Sequence, residues 1–230
     1  MRREQEPLIP IRDTIPSKRF PIVTILLIVA NALVFVFELS LGETLDHFIA
    51  AFGLIPAQIQ TDAMHHSYVW VVVPFFTSIF LHGGWLHLAG NMLYLWIFGD
   101  NVEDKMGHGR FSLFYILCGI GGSILQFSMN PTSPFPTIGA SGAIAGVLGS
   151  YLLMFPKSRV LTLVPIFFFF TFIEIPAVVF LGIWFLIQFL SGTMSLTGSS
   201  AANAGGIAWW AHIGGFASGV ILVLPFRKYK

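Results

Sequence analysis

Long apolar runs cover residues 21 to 41, 85 to 103, 111 to 129 and 207 to 226. Each is close to the roughly 20 residues a helix needs to cross about 30 Å of hydrocarbon. Two further stretches are less regular. Ser141 to Phe155 is short and is entered through the Pro-rich segment "NPTSPFPTIGAS", whereas 160 to 190 is too long and is broken by Pro165, Glu174 and Pro176. The pattern predicts a short span for the first. For the second it predicts an interfacial stretch to about 173 and a span over about 174 to 191. Six spans result, and the fold class is an all-α polytopic membrane protein. The patch "VWVVVPFFTSIFL" at 69 to 81 is too short and carries Pro74. It reads as a re-entrant or interfacial segment, tolerable where protein or water satisfies its backbone. The first run exceeds a signal-peptide core and reads as a retained span.

Charge supports this count. Of the 12 Lys and Arg residues, Arg2, Arg3, Arg12, Lys18 and Arg19 precede span 1, and Lys105 and Arg110 separate spans 2 and 3. Lys157 and Arg159 separate spans 4 and 5, and Arg227, Lys228 and Lys230 follow span 6. All fall on one side, while the loops at 42 to 84, 130 to 140 and 192 to 206 have none. Since Lys and Arg collect on the cytoplasmic side, both termini are expected in the cytoplasm. The expected organisation is a short tail over 1–20, a six-helix membrane domain over 21–226 and a basic end over 227–230.

The composition agrees: 55% hydrophobic and 10% charged residues, against about 25% charged in soluble domains. A net charge of +1 with no basic patch argues against nucleic acid. The lone Cys118 allows no internal disulfide. No cofactor is expected. "HGGWLH" is not a zinc-ligand pattern, so no metal is expected either.

Chemistry concentrates in the half away from the basic residues. If Phe155 marks the inner edge of span 4, Ser141 lies about 14 residues or about 21 Å from it, roughly 9 Å below the outer surface. Span 6 gives the same sum from Phe226 back to His212, so serine and imidazole share a depth. Ala145, Gly146 and Gly149 on one helix, and Gly215 and Gly219 on the other, are the small residues that let helices approach closely in lipid. His87 and Asn91, four apart on span 2, lie on one face in the outer half, with His82 just outside the span. Polar groups at such depth point to function.

A serine nucleophile needs a base and an oxyanion site. His212 is placed to accept the Ser141 proton, and the Ser141 amide, Asn91 and His87 are placed to donate to an oxyanion. No carboxylate is placed to orient His212, so a Ser-His dyad is expected, its imidazole held by packing. Every Lys is on the opposite side, which excludes a Ser-Lys dyad. No paired Asp within spans supports an aspartyl site. The segment "GASGA" is not the G-x-S-x-G elbow of soluble hydrolases. A transporter or a b-haem protein using His87 and His212 is the rival from a different class.

Three motifs in order, "HGGWLHLAGNMLYLWIFGDNVED", "GASGAIAG" and "AHIGGFASG", resemble those of the bacterial rhomboid intramembrane serine proteases over about residues 20 to 226. The resemblance implies a rhomboid-like six-helix fold, Ser141 as nucleophile and His212 as general base. It implies an oxyanion site from His87, Asn91 and the Ser141 amide, with Gly139, Gly142, His82, Gly215 and Gly219 in support. The expected partners are the lipid bilayer and transmembrane-segment protein substrates, cut near the outer face beside small residues. Span 5 and the loop before span 6 would gate access. A catalytically inactive member that binds client transmembrane helices is the alternative. Two positions depart from the family pattern. Val73-Pro74 stands where many members have a Trp-Arg pair, and Ala145 stands where an aromatic often stacks on the base.

Overall fold

The apolar runs form helices because they carry enough unbroken hydrophobic sequence to close their backbone hydrogen bonds internally, which a lipid environment demands. The computed structural model describes residues 9–166, 169–196 and 207–227. The basic residues Arg2, Arg3, Lys228 and Lys230 lie outside them, as does most of the loop expected to gate access. In chain order the helices are α1 (Ile22–Ser40), α2 (Leu45–Phe52), α3 (Pro56–Met64), α4 (Tyr68–Thr77), α5 (Trp85–Met106), α6 (His108–Met129), α7 (Ser141–Met154), α8 (Ala177–Leu196) and α9 (Trp209–Phe226). The strands are β1 (Ile9–Asp13), β2 (Arg159–Ile166) and β3 (Phe169–Pro176).

Among the described residues, α1, α6, α8 and α9 are each long and apolar enough to span a membrane. A fifth candidate is the segment Tyr68–Phe80 joined to α5 through an 80° bend. The bend falls where Gly83 and Gly84 interrupt the apolar pattern, and it keeps the 69 to 81 patch from continuing into α5 as one straight rod. The sixth is α7, at 14 residues only about 21 Å long. It is buried from Gly142 through Tyr151, as expected of a helix apolar on every face. Helix α9 packs most extensively on α7 and α6. Phe98, Phe111, Phe114, Tyr115, Leu148 and Tyr151 fill the core between these helices.

The predicted interfacial stretch before span 5 is a β-hairpin. Its strands β2 and β3 pair antiparallel from Arg159↔Pro176 to Ile166↔Phe169, and β1 adds to β2 with a register shift between Pro10 and Arg12. Alternating β-branched and aromatic residues favour the pleated form. Pro10 is tolerated because β1 is an edge strand. Span 5 therefore begins at Ala177 rather than near 174, and Glu174 belongs to β3, where its carboxylate pairs with Arg159 at 3.2 Å.

Polar side chains tie the basic end together. The buried Glu103 carboxylate accepts the backbone N–H of Val23 (2.9 Å) and Thr24 (2.8 Å), the Thr24 hydroxyl (2.7 Å) and the His108 Nδ1–H. The two backbone N–H groups are unsatisfied first-turn donors of α1, and a negative charge there also suits the helix dipole. Asp13 accepts from Asn101 Nδ2 at 2.9 Å and from the Tyr151 hydroxyl, fastening β1 to α5 and α7.

Candidate active site

Helix α7 starts inside the protein because the chain turns sharply just before it. Gly139 has φ +125°, and a β-carbon there would stand 2.6 Å from His87 Nε2. Only glycine meets both conditions. Its N–H donates to the Ser78 carbonyl at 2.9 Å, pinning the turn to the segment before α5. Ser141 is then the first helical residue, with a backbone N–H that has no partner within the helix.

Helix α9 brings His212 alongside. A β-carbon at Gly215 would overlap the Gly142 carbonyl oxygen, and one at Gly219 would overlap that of Gly146. The glycines thus set the interaxial distance of α7 and α9, as small residues do in membrane bundles. At that separation His212 Nε2 lies 2.8 Å from Ser141 Oγ. His87 and Asn91 project from α5 into the same cavity of about 570 Å³, which is bordered by α5, α7, α8 and the start of α9. His87 Nδ1 accepts the Gly83 N–H at 3.4 Å, so in the neutral ring the proton sits on Nε2, the atom next to Gly139. Asn91 is buried, and its Nδ2 has no hydrogen-bond partner among the described residues. His82 is buried between these groups and α1. Its N–H donates to the Glu38 carboxylate (3.2 and 3.3 Å), and its ring meets that of His87 at 5.1 Å.

The imidazole of His212 is not held by packing alone, as its surroundings in the sequence implied. Its Nδ1 lies 2.7 Å from Oε1 of Gln188 on α8. Trp184, one turn earlier on α8, supplies a tilted ring contact in place of the one Ala145 lacks, with ring centroids 5.8 Å apart and planes 36° from parallel. Trp209 adds an edge contact. Sequence reasoning passed over Gln188 and Trp184, although Gln188 is the one polar side chain between Ala177 and Leu190, itself a signal at membrane depth. The first loop, which lacks the Trp-Arg pair, is anchored by backbone pairing. Leu54 and Thr137 exchange N–H···O bonds (3.2 and 2.8 Å), Ala57 N–H donates to Ser133, and the Thr77 hydroxyl donates to the Phe52 carbonyl at 2.6 Å. No group of three or more metal-ligating side chains occurs among the described residues.

The model of the rhomboid domain matches residues 67–229, more than half of the chain. The chain belongs to the rhomboid family. This rhomboid is 39% identical over 140 residues to the rhomboid protease GluP of Bacillus subtilis, covering 60% of this chain and 26% of that protein. It is 27% identical over 207 residues to rhomboid-like protein 11, chloroplastic, of Arabidopsis thaliana (87% and 67%). It is 29% identical over 162 residues to rhomboid protein 1, mitochondrial, of Saccharomyces cerevisiae (69% and 43%). The chain thus spans about a quarter of the first relative's length, two thirds of the second's and less than half of the third's.

Proposed function

We propose that this rhomboid is an intramembrane serine endopeptidase acting on transmembrane segments. The observation that carries this reading is the 2.8 Å contact of His212 Nε2 with Ser141 Oγ at the wall of a cavity into which Asn91 and His87 also face. Ser141 Oγ attacks the scissile carbonyl while His212 Nε2 takes its proton, and His212 then returns that proton to the departing amine. Water attacks the acyl-enzyme with His212 again as base. The oxyanion is stabilised by the Ser141 N–H, by Asn91 Nδ2, which has no hydrogen-bond partner among the described residues, and by His87 Nε2–H. The α7 N-terminus adds a favourable dipole.

Substrates in this reading are single membrane spans that enter the cavity from the side and unwind locally, because a helical backbone hides its carbonyls from a nucleophile. The basic end faces the cytoplasm, and cleavage lies in the opposite half of the bilayer. The one-sided Lys and Arg distribution supports this orientation. A bacterial inner membrane fits the similarity to GluP of Bacillus subtilis.

The test is cleavage of a reporter transmembrane segment, rich in small and helix-breaking residues near its outer end, by reconstituted protein beside its Ser141→Ala variant. Cutting by the parent alone is the expected result. Equal cutting by both would remove Ser141 from the chemistry. Binding of the reporter by both without any cutting would favour a client-binding member of the family.

A further inference from the structure

Gln188 offers its amide to two groups at once. Its Nε2 lies 3.3 Å from the carbonyl oxygen of Trp184, one turn back on α8, and a carbonyl can only accept. The amide is therefore oriented with N–H toward Trp184 and Oε1 toward His212. The opposite orientation would press two acceptor oxygens together. An acceptor 2.7 Å from His212 Nδ1 in turn requires the proton on Nδ1, which leaves Nε2 with its lone pair toward Ser141. The other tautomer would aim an N–H at the serine and could not take its proton.

We infer that Gln188 is a positioning residue for this site: through Trp184 it fixes the Nδ1–H tautomer and the ring orientation of His212, a task that a carboxylate performs in Ser-His-Asp triads. The inference rests on the proposed protease reading for its catalytic consequence, though not for the tautomer itself. Two further observations support it. Gln188 is 6% exposed, and a buried amide is costly unless its bonds are made. The buried face of α8, Ala177, Phe180, Leu181, Gln188 and Gly192, is otherwise apolar or small, and among the described residues the amide bonds only Trp184 and His212. The Trp184 ring contact and the Gln188 amide contact to His212 both come from α8, which also borders the cavity through Trp184. The base is held in register only while α8 lies against α9.

The experiment combines a spectroscopic readout with kinetics, using reconstituted full-length protein. Nitrogen chemical shifts of ¹⁵N-imidazole-labelled protein, with His212 assigned by difference from His212→Ala, report which ring nitrogen carries the proton. The parent is expected to hold it on Nδ1, and both Gln188→Leu and the near-isosteric Gln188→Met are expected to shift it toward Nε2. On a cleavable reporter these two variants should lower kcat by roughly a hundredfold with KM changed less than about twofold. Gln188→Glu, whose protonated carboxyl can donate to the Trp184 carbonyl while its other oxygen accepts from Nδ1–H, should recover most of that loss. An Nε2–H tautomer in the parent, or an unchanged tautomer and kcat in folded Leu and Met variants, overturns the inference. The expected tautomer shift from parent to variants, with a parent that neither cuts nor reacts with a serine-directed phosphonate, would sink the protease reading and leave the role of Gln188 standing.

Discussion

The two ends of the helical bundle bury polar groups in different ways. At the basic end the carboxylates that join elements have partners: the buried Glu103 accepts four hydrogen bonds from α1 and α6, and the half-buried Asp13 accepts from Asn101 and Tyr151. At the serine end Asn91 Nδ2 and both ring nitrogens of His82 are buried without partners among the described residues, and the Ser141 N–H has none within its helix. Buried polar atoms are nearly always satisfied in folded proteins. Saturation marks polar groups that hold helices together. Asn91, whose orphaned donor belongs to a residue lining the cavity, has the character of a group kept for something that arrives later.

Substitutions can separate these two uses. The largest effect is expected from Ser141→Ala and His212→Ala, each abolishing reporter cleavage while the thermal transition stays near that of the parent. Next comes Gly215→Leu. The added side chain would strike the Gly142 carbonyl, push α9 from α7 and lower cleavage at least roughly a hundredfold by separating base from nucleophile. Unlike the dyad variants it should also lower the melting temperature. Asn91→Ala is expected to reduce kcat by about ten to a thousandfold as one oxyanion donor of several, with no loss of stability, since no hydrogen bond of Nδ2 is broken. If it destabilises the fold while sparing kcat, Asn91 belongs with the structural groups and the contrast between the ends fails.

Glu103→Ala should do the reverse. It strands the Val23 and Thr24 donors and costs about 3 kcal/mol of stability, seen as earlier unfolding in denaturant, with kcat per folded molecule little changed. The smallest effect concerns Asp13. Burial pushes its carboxyl above the ordinary value, outweighing the hydrogen bonds from Tyr151 and Asn101 that pull it down. The folded state therefore holds this proton more tightly than the unfolded state. Its contribution is greatest below the ordinary carboxylate pKa of about 3.9 and is lost as pH rises through the raised folded value. Asp13→Asn should flatten that part of the stability profile, as thermal melts across mildly acidic pH would reveal.

Much of this arrangement is legible in the chain. The apolar runs and one-sided charges place the helices, and the equal distances of Ser141 and His212 from the basic end place two reactive groups at one depth. The small residues below each of them indicate that the helices can approach. Two features escape such reading for physical reasons. The β2–β3 hairpin has no Gly, Asn or Asp between its strands, where Phe167 and Phe168 stand, so no turn signal separates it from the apolar sequence of α8. The Gln188 to His212 bond joins residues 24 apart on helices whose relative rotation is set by packing. Periodicity places each side chain on its own helix and carries no information on which faces meet. The departure at Ala145 marks a missing contact, and its replacement by Trp184 comes from another helix.

The central claim is that the Ser141 hydroxyl is activated by His212 in this cavity. Its most direct test is reaction of the reconstituted protein with a fluorophosphonate, followed by mass-spectrometric location of the adduct. A single adduct on Ser141 is expected, lost in His212→Ala and slowed in Asn91→Ala. An unlabelled Ser141 in folded protein, or labelling that is indifferent to His212, would contradict it.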